Sequence, residues 1–566
     1  MPNLTYKGPS AASAEELLLR LHGAAGPIGC DIETVSLEDR RILGIGFALS
    51  PDEGYWFPID SPWLPRTILQ DSSYLKVFYN GYFDVPEMRK LGIEVRNYVD
   101  VYEALKILGH IGSLHDMARM FLGWDLVTVE DLLGPKGKGQ LTMDKVPEEK
   151  VADKCIMDSR ATVALWAIVA PRVNPEALSL EMSLIPKTLE ISQRGMRIHR
   201  DRLAAYRKKY ESDYLYLRTI CEGMGFNPGS SRQVAAILQS RGHRIYYNKK
   251  TWNPKMGEEM LTQIYGDDPV AQLTLKYREV QTLLTHFFRN FELLIGADGR
   301  IHPKFVQSGA LSGRYASTKP NAQNIPEHIR DMIIASEHKV LGNWDLNQIE
   351  LRWLMFLSGD PEMARIFAIA DTDPWNPEGD IHQGTATTLG ISRRDSKDCN
   401  FAIVYGGDAD TLYRRSGIEP DKGQRLLDHH RSVFTRAWDY LDELKEESRA
   451  TGQMSTYMGR TRKENVLLDP WAPQYKKDAA VRELVNHKIQ GSAGETLKRA
   501  MMQTWDAFTV DTIHDEELEE IDPGAQVVIP TRAIAPFNVM LKLKTGEDWK
   551  SMEELKRPLG RMVIHA

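Results

Sequence analysis

The sequence predicts an α/β protein with several domains, and three observations support this class. The chain has 566 residues, enough for roughly three to five domain-sized units with buried cores. Its apolar fraction of 42% and aromatic fraction of 9% are typical of globular proteins. Strand-like runs are followed by helical periods over residues 1–175 and again over 180–566, which we take as the two main domains.

Charge, cysteines and hydropathy narrow the class further. The net charge of −7 excludes an overall basic field, although residues 201–290 have a basic excess suited to holding a polyanion. The four cysteines lie far apart without a Cys-x-x-Cys pair, which argues against a disulfide framework and a zinc ribbon. The sequence has no signal pattern and no apolar run near the roughly 20 residues of a membrane span. We therefore expect a cytoplasmic protein without membrane segments.

Strands in the first domain carry acidic residues. The segments "GPIGCDIET", "RRILGIGFAL" and "EGYWFPI" predict three strands of a hairpin-rich sheet. On the first strand, Asp31 and Glu33 are two residues apart, so both side chains point to one face. The segment "KVFYNGYFD" predicts a further strand-like run that closes on Asp84. The alternative is that Asp84 caps the start of a helix.

Helical segments follow in the same domain. "GSLHDMARMFLGWD" has a helical period, and "KCIMDSRATVALWAIV" predicts a helix with Asp158 near its start. Asp31, Glu33, Asp84 and Asp158 are then four carboxylates that can converge. Two divalent ions about 4 Å apart need about that many ligands.

The second domain begins with long helices. "LEISQRGMRIHRDRLAAYRKKY" turns from a Gly-marked bend into a helix, and a capped helix follows Pro228-Gly229. "DPVAQLTLKYREVQTLLTHFFRNFELLI" predicts another amphipathic helix. Basic side chains along these helices suit a surface that grips a duplex, and a charged solvent face is the alternative.

Two segments in the middle of this domain present polar groups. "SGALSGRYASTKPNAQNIP" is too rich in Ser, Gly, Asn and Pro for a helix, and it offers Arg314, Asn321 and Gln323 as donors to a phosphate backbone. "VLGNWDLNQIELRWLMFLSGD" changes from strand to helix around Asp345. A carboxylate at that junction suits a site for a metal ion and a phosphate.

Two helical stripes follow. In "SRRDSKDCNFAIVYGG", residues Arg393, Lys397, Phe401 and Tyr405 recur every four positions and share a broad helix face. Two cations and two rings suit a triphosphate and a base, and an amphipathic helix with both rings in the core is the alternative. In "RELVNHKIQGSAGE", a polar stripe is formed by Arg482, Asn486 and Gln490.

The segment "TIHDEELEEID" at 512–522 is densely acidic. Adjacent carboxylates repel one another unless a cation lies between them. Taken alone, the segment is either an acidic turn or part of a metal site.

The first domain resembles a known family. "DIET", "NGYFD" and "DSRAT" resemble the three motifs of the 3′–5′ exonucleases that proofread for DNA polymerases. The resemblance implies a ribonuclease-H-like α/β fold in which Asp31, Glu33, Asp84 and Asp158 bind two divalent ions, Mg²⁺ or Mn²⁺. Where the family has a water-orienting tyrosine or histidine, this chain has Lys154 and Asp153. We expect Lys154 to point to solvent, and a catalytic lysine is the alternative.

The second domain resembles family A DNA polymerases, the bacterial polymerase I relatives, many of them from bacteriophages. "LSGRYASTKPNAQNIP", "DLNQIELR", "RRDSKDCNFAIVYG", "VNHKIQGSA" and "IHDE" occur in the family's order. The resemblance implies a right-hand polymerase domain. Its thumb is expected at about 200–295, its palm at about 180–200, 296–358 and 485–566, and its fingers at about 359–484.

The resemblance also implies roles for palm residues. Asp345 and Asp515 would bind two Mg²⁺ ions, with Glu516 as a nearby auxiliary and His514 near the primer terminus. Glu350 would line the sugar pocket together with Gln348. The remaining acids of the segment are expected to form a turn beyond the site: Glu517, Glu519, Glu520 and Asp522.

The remaining implied roles concern nucleotide and DNA. Arg393 and Lys397 would contact the incoming triphosphate with help from His382, and Lys397 would stabilise the departing pyrophosphate. Phe401 would pack on the sugar and Tyr405 against the template base. Four residues would meet the minor groove: Arg314, Arg482, Asn486 and Gln490.

These observations together predict a DNA-templated DNA polymerase with an attached proofreading exonuclease. Its partners would be primer–template DNA and dNTPs, and we expect a monomer. A processivity factor, helicase or primase is a further expected partner class, for which we find no motif. The exonuclease motif begins by Asp31, which leaves no room upstream for a 5′-nuclease domain and favours phage-type replication in a bacterial cytoplasm.

Two alternatives remain at this point. A single-subunit RNA polymerase has a related palm, but Glu350 would collide with a ribose 2′-hydroxyl. A DNA-binding scaffold, or an exonuclease with an inactive palm, is disfavoured because Asp345, Asp515, Arg393 and Lys397 all occur together.

Overall fold

The computed structural model describes most of the chain, in the following ranges: 20, 26–59, 63–137, 139–248, 251–373, 376–404, 407–416, 418–504, 508–513, 516–522, 534–539 and 541–545. The chain forms two compact units. Unit 1 comprises Met1–Ile185 and Ser455–Arg462, and unit 2 comprises Pro186–Met454 and Lys463–Ala566.

A five-stranded mixed sheet forms the centre of unit 1, with the strand order β3-β2-β1-β4-β5. The first three strands are antiparallel, and β4 and β5 run parallel to β1. The predicted hairpin-rich sheet is therefore confirmed. The strands are β1 (Ile28–Thr34), β2 (Ile42–Ser50), β3 (Glu53–Pro58), β4 (Lys76–Phe78) and β5 (Tyr98–Asp100).

Helices pack on both faces of this sheet, as the apolar faces of its strands require. The helices in this part of the chain are α1 (Trp63–Gln70), α2 (Gly81–Lys90), α3 (Val101–Ile107), α4 (Leu114–Leu122), α5 (Val129–Leu133), α6 (Glu148–Val169) and α7 (Pro175–Arg194). The division between the two units falls within α7.

Helix α6 lies unusually close to the sheet because two strand residues lack a side chain. A Cβ at Gly29 would lie 2.2 Å from the carbonyl oxygen of Ser159. A Cβ at Gly46 would lie 2.7 Å from Ser159 Oγ and 2.9 Å from Cys155 Sγ. Both distances are shorter than real contacts, so glycine permits an approach that larger residues would prevent.

Two sequence predictions in unit 1 are wrong. Strand β4 ends at Phe78, and Asp84 lies in the first turn of α2 instead of at a strand end. The chain turns there at Asn80, which has a left-handed backbone and precedes the helix. Asp158 lies in the middle of α6 because that helix already begins at Glu148.

Residues far along the chain complete unit 1. Met458 is buried in a cluster with Val163 and Leu165 of α6. Arg460 forms a buried ion pair with Glu181 of α7. Unit 1 is thus discontinuous in sequence.

Unit 2 contains long helices, as predicted. Ser230 caps the helix that follows Pro228-Gly229, and the last predicted long helix continues through a π-helical segment, Leu283–Phe288. The helices are α8 (Arg200–Gly223), α9 (Ser231–Ser240), α10 (Glu258–Gln263), α11 (Pro269–Thr282), α12 (Arg289–Leu294), α13 (Ile349–Ser358), α14 (Pro361–Thr372), α15 (Ile381–Leu389), α16 (Arg393–Val404), α17 (Ala409–Ser416), α18 (Pro420–Val433), α19 (Thr435–Thr451) and α20 (Gln474–Gln503).

Short strands connect these helices, and a larger sheet follows them. The short strands up to this sheet are β6 (Met196–Ile198), β7 (Arg300–Ile301), β8 (Lys304–Val306), β9 (Ala316–Thr318) and β10 (Ile333–Ile334). The sheet itself is antiparallel and has the order β14-β15-β11-β16. The remaining strands are β11 (Val340–Leu346), β12 (Gln453–Ser455), β13 (Thr461–Lys463), β14 (Phe508–Ile513), β15 (Glu516–Ile521) and β16 (Leu541–Thr545).

The predicted acidic turn after the palm carboxylate is wrong, because Glu517, Glu519 and Glu520 lie on strand β15 and are buried. Lys187 of α7 places its ammonium 3.3 Å from Glu517 Oε1. Arg300 lies 3.0 Å from a carboxylate oxygen of Glu520. Cations supplied from distant segments therefore compensate Glu517 and Glu520, and of the four acids only Asp522, just beyond the strand, is exposed.

Among the described residues, no helix combines the length and the apolar content needed to cross a membrane.

Candidate active sites

The first candidate site lies where α6 crosses the sheet of unit 1. Strand β1 supplies Asp31 and Glu33, and α6 supplies Asp158. Burial raises the pKa of Asp31 well above its usual value, and the carboxylates of Asp158, Glu33 and Asp84 raise it further. The structure thus brings together all four carboxylates that the sequence predicted.

Lys154 occupies the middle of this acidic group. Its Nζ lies 2.6 Å from Glu33 Oε1 and 2.7 Å from Asp158 Oδ2. Burial alone would lower the pKa of Lys154, but Asp158, Glu33 and Asp31 raise it well above its usual value. The expectation that Lys154 points to solvent is wrong. Its spacing of four residues from Asp158 on a helix was the available signal.

Cys155 is a site residue that sequence reasoning missed. Its Sγ lies 3.3 Å from Asp31 Oδ2, and one ligand atom each from Asp31, Glu33 and Cys155 lie within 4.8 Å of one another. Burial raises the pKa of the Cys155 thiol well above its usual value, so it remains protonated and is a poor metal ligand. The carboxylates, in contrast, are the hard oxygen donors that fit a divalent ion.

The second candidate site lies at one end of the antiparallel sheet of unit 2. Asp345 is near the end of β11, and the strand register places it opposite Glu516 of β15. His514 and Asp515 lie outside the described residues, as does the side chain of Glu516. Two adjacent strands therefore bring acidic positions to one end of the sheet, and carboxylates are the donors that a divalent ion prefers.

The chain turns sharply after Asp345 and enters α13. Gln348 precedes this helix with a left-handed backbone (φ 55°), and Glu350 is buried in its first turn. Arg314 donates from Nη2 to Glu350 Oε1 at 2.8 Å, and both side chains are largely buried. Glu350 is thus held in place beside the strand that carries Asp345.

The polar stripe on α20 continues toward Arg314. Arg482 is exposed, and the half-buried Asn486 and Gln490 follow at successive steps of four residues. The next step is Gly494, where a Cβ would lie 3.1 Å from Arg314 Cγ. The absence of a side chain at Gly494 allows Arg314 to extend the stripe. The predicted minor-groove residues therefore form one continuous row.

The glycine-rich and serine-rich segment approaches the strand before the acidic segment. Gln323 donates from Nε2 to the carbonyl oxygen of Thr512 at 2.9 Å, on strand β14. Asn321 is exposed, and its Oδ1 accepts from Ser317 Oγ at 3.3 Å.

Helices α15 and α16 hold the predicted triphosphate-binding residues together. Arg393 pairs with Asp380 at 2.7 Å, while Asp380 also caps α15 by accepting from two backbone N–H groups. Lys397 Nζ lies 5.9 Å from the centre of the Phe401 ring. The centres of the His382 and Phe401 rings are 5.8 Å apart. Tyr405 lies outside the described residues.

A buried hydrogen-bond network fixes His382 and was not predicted. Burial lowers the pKa of His382 to about 4, so its imidazole is neutral. Asn400 Nδ2 lies 3.0 Å from His382 Nδ1, and Asn400 Oδ1 lies 3.0 Å from His430 Nε2. Trp438 donates from Nε1 to His430 Nδ1 at 3.1 Å. Because an amide nitrogen is always a donor, His382 Nδ1 accepts and its proton resides on Nε2.

Comparisons with known proteins identify the family of the chain. The family model for DNA polymerase family A matches residues 200–532, and that for the 3′-5′ exonuclease matches residues 7–174. The first of these covers more than half of the chain. The chain therefore belongs to DNA polymerase family A and carries a 3′–5′ exonuclease domain, which confirms the resemblance and the predicted fold class. Both families are divalent-metal enzymes.

Curated relatives are bacterial DNA polymerases I. The chain is 24% identical to that of Pseudomonas aeruginosa, over 92% of this chain and 63% of the relative. It is 27% identical to that of Chloroflexus aurantiacus, over 96% of this chain and 63% of the relative. The chain thus spans about three fifths of the length of these relatives.

A solved structure shares the fold. The POL domain of Pol1 from M. smegmatis, in complex with DNA primer-template and dNTP, superimposes with a TM-score of 0.79 at 20% identity. The match covers 96% of this chain and 98% of the other.

Proposed function

We propose that this protein is a DNA-templated DNA polymerase that extends a primer 3′ end with dNTPs and carries an attached 3′–5′ exonuclease. The observation that carries the proposal is the arrangement around Asp345. Strand β11 and helix α13 flank Asp345 in unit 2. Three features adjoin them: the acidic strand β15, the Arg314–Glu350 pair and the row of polar residues on α20. The similar Pol1 structure, which holds primer-template and dNTP, supports the same activity.

The polymerase site would act by positioning and by charge. Asp345 and Asp515 would hold two Mg²⁺ ions, which when bound activate the primer hydroxyl and neutralise charge on the departing pyrophosphate. Arg393 and Lys397 bring two cations from α16 to the triphosphate, and His382 contributes an N–H from Nε2. Phe401 packs on the sugar, and Tyr405 meets the template base.

The sugar pocket and the duplex surface use other residues. Glu350 and Gln348 line the 2′ side of the sugar, where a bulky residue excludes a ribose hydroxyl. Arg314 Nη2 lies 2.8 Å from Glu350 Oε1, and this ion pair restrains the Glu350 side chain in the pocket. The remaining donors of the α20 row face minor-groove acceptors, which are similar for all base pairs, and so check pair geometry without reading sequence.

The exonuclease site of unit 1 would hydrolyse the primer 3′ end with Mg²⁺ or Mn²⁺ bound by Asp31, Glu33, Asp84 and Asp158. The number of ions depends on Lys154, whose ammonium already lies between two of these carboxylates. A phage-type replicative role, a cytoplasmic location, a monomeric state and a processivity partner also belong to this proposal.

A primer-extension assay tests the proposal. The purified chain is supplied with primer–template, Mg²⁺ and either dNTPs or rNTPs, and labelled products are resolved by length. Template-directed extension with dNTPs is expected. Extension with rNTPs at an equal rate would favour an RNA polymerase, and primer shortening without extension would favour a lone exonuclease. DNA binding without extension or shortening of the primer would favour a non-catalytic DNA-binding scaffold.

A further inference from the structure

The acidic site of unit 1 contains a cation supplied by the protein itself. The ammonium of Lys154 contacts one oxygen of Glu33 and one of Asp158, at 2.6 Å and 2.7 Å. The side chains of all three residues are at most 13% exposed. Both acids are among the four carboxylates that the family resemblance assigns to metal binding.

The backbone of α6 lies close to the strand that carries Glu33. Helix α6 is pressed onto β1 and β2 at Gly29 and Gly46, where any Cβ would clash. Lys154 and Asp158 are one helical turn apart and therefore share the face that meets Glu33. The adjacent residue, Cys155, contacts Asp31.

A buried lysine beside a carboxylate is often only structural, and unit 1 contains such a pair for comparison. Lys106 contacts Glu103 at 2.5 Å, three residues away on the same helix α3. Lys154 differs because it bridges two carboxylates from different elements, one on a strand and one on a helix. A divalent ion that joined the same two oxygens would require that position.

We infer that Lys154 is a built-in cation that replaces one divalent ion between Glu33 and Asp158, so that this site binds one divalent ion and not two. A metal ion binds carboxylate oxygens at about 2.0–2.6 Å, so an ion that bridged these two oxygens would occupy the place of the ammonium, and the two cations would repel each other. Asp31, Asp84 and the second oxygen of Glu33 remain as donors for the single ion. The inference rests on the proposed exonuclease function of unit 1.

The ammonium would also contribute to substrate binding. It has three donors, of which the two carboxylates use two, and it has no lone pair with which to accept a proton from water. Its third N–H can hold a phosphate oxygen at the DNA 3′ end, where it adds the charge that a second ion would otherwise supply. Lys154 is therefore a cation of the site and not its general base.

Counting bound Mn²⁺ ions tests the inference without measuring activity. The full-length chain carries Asp345→Asn and Asp515→Asn to remove polymerase-site ions, and free Mn²⁺ is titrated by electron paramagnetic resonance. This parent is expected to bind one Mn²⁺ ion, and adding Asp31→Asn should abolish that binding. Adding Lys154→Met should raise the count to two. Lys154→Arg, which keeps the charge, and Lys106→Met, which removes the comparison lysine, should both leave it at one.

Thermal unfolding supplies a second readout. In EDTA, Lys154→Met should lower the melting temperature by about 5 °C, because it leaves buried carboxylates without their cation. Mn²⁺ should restore this loss, whereas the loss from Lys106→Met should persist. If Mn²⁺ restores the melting temperature of both variants, or of neither, the inference is contradicted.

The outcomes separate the inference from the function on which it rests. Two ions in the parent would mean that Lys154 yields to metal, and one ion in both the parent and Lys154→Met would mean that no second ion binds where the ammonium lies; either result would overturn the inference alone. Absence of any Asp31-dependent ion in both proteins would instead overturn the proposed exonuclease site. One ion in the parent and two in Lys154→Met would support both.

Discussion

Among the buried lysines that pair with carboxylates, Lys187 of unit 2 and Lys154 of unit 1 differ in their other contacts. Lys187 in unit 2 contacts Glu517, but it also donates to the carbonyl oxygen of Met501 at 2.7 Å and to that of Thr504 at 3.2 Å. Lys154 in unit 1 contacts Glu33 and Asp158, both through carboxylate oxygens.

The difference indicates what each lysine does. Met501 and Thr504 lie at the end of α20, where carbonyl oxygens have no partner within the helix. Lys187 therefore closes a helix C-terminus and neutralises a strand acid, which is a structural role. The contacts of Lys154 are instead two of the carboxylates that we propose as metal ligands. The identity of the acceptors thus separates a structural lysine from a site lysine more clearly than burial does.

The largest expected effect concerns Asp345 of unit 2, which we propose as a palm carboxylate and which lies opposite strand β15. Asp345→Asn should reduce primer extension roughly 1000-fold, because it removes a charged metal ligand while the DNA contacts remain. Single-turnover extension measures the loss, and fluorescence anisotropy checks duplex binding. Asp522→Asn removes an exposed acid beyond Ile521 of β15 and should extend normally. Extension by Asp345→Asn within tenfold of the wild type would contradict the palm assignment.

Lys187→Met would sharpen the comparison by removing the structural lysine. We expect a loss of about 3–5 kcal/mol in the free energy of unfolding, because Glu517 would remain buried without its cation. Urea unfolding in EDTA and in Mn²⁺ should give the same loss, unlike Lys154→Met. Lys339→Met removes a partly exposed lysine paired with the exposed Asp522 and should cost less than about 1 kcal/mol. A Mn²⁺-dependent loss for Lys187→Met would break the distinction between the two lysines.

Glu350→Ala tests a carboxylate whose partner is an arginine. The discrimination between dATP and ATP, measured as a ratio of kcat/KM values, should fall roughly tenfold or more because space opens beside the sugar 2′ position. Glu350→Gln keeps the size and loses the charge, so it should retain most of the discrimination. If both variants discriminate like the wild type, Glu350 is only a structural partner of Arg314.

The last expected effect is a change in the pH dependence of stability, which is modest for each pH unit. Burial, followed by the neighbouring Glu517, raises the pKa of Glu519 to about 9 from a usual value of 4.5. The native state therefore binds more protons than the unfolded state between these values, and the free energy of unfolding falls as pH rises from about 5 to 9. The slope is at most about 1.4 kcal/mol per pH unit.

Glu519→Gln mimics the protonated side chain and should flatten this slope, as measured by urea unfolding at several pH values. Glu443→Gln replaces an exposed carboxylate and should leave the slope unchanged. An unchanged slope in Glu519→Gln would mean that Glu519 is ionised in the native protein.

Local patterns were sufficient to predict much of the fold. The alternation in "GPIGCDIET" identified β1 and the shared face of Asp31 and Glu33, and the change of period after Asp345 identified the junction of β11 and α13. These features depend on residues that are near neighbours in the sequence. The positions of Asp31 and Glu33 could be predicted for the same reason, whereas Asp84 and Asp158 were assigned to the wrong parts of their elements.

Features that depend on distant residues were missed. The acids of β15 resemble a solvated turn in the sequence, because the compensating Lys187 is more than 300 residues away. Lys154 was expected in solvent because the closeness of α6 depends on Gly29 and Gly46, which belong to other elements. Asn400 and His430 gave no signal, since a buried network forms only when α15, α16 and α18 pack together.

The discontinuity of unit 1 has a consequence for how this exonuclease can be exchanged between proteins. A gene fragment that ends at Ile185 would omit Met458, a member of the apolar core, and Arg460, the cation that pairs with the buried Glu181. Recombination at the apparent domain border would therefore transfer an incomplete module. Any swap that retains stability has to carry the short hairpin segment from beyond residue 450 along with the first 185 residues.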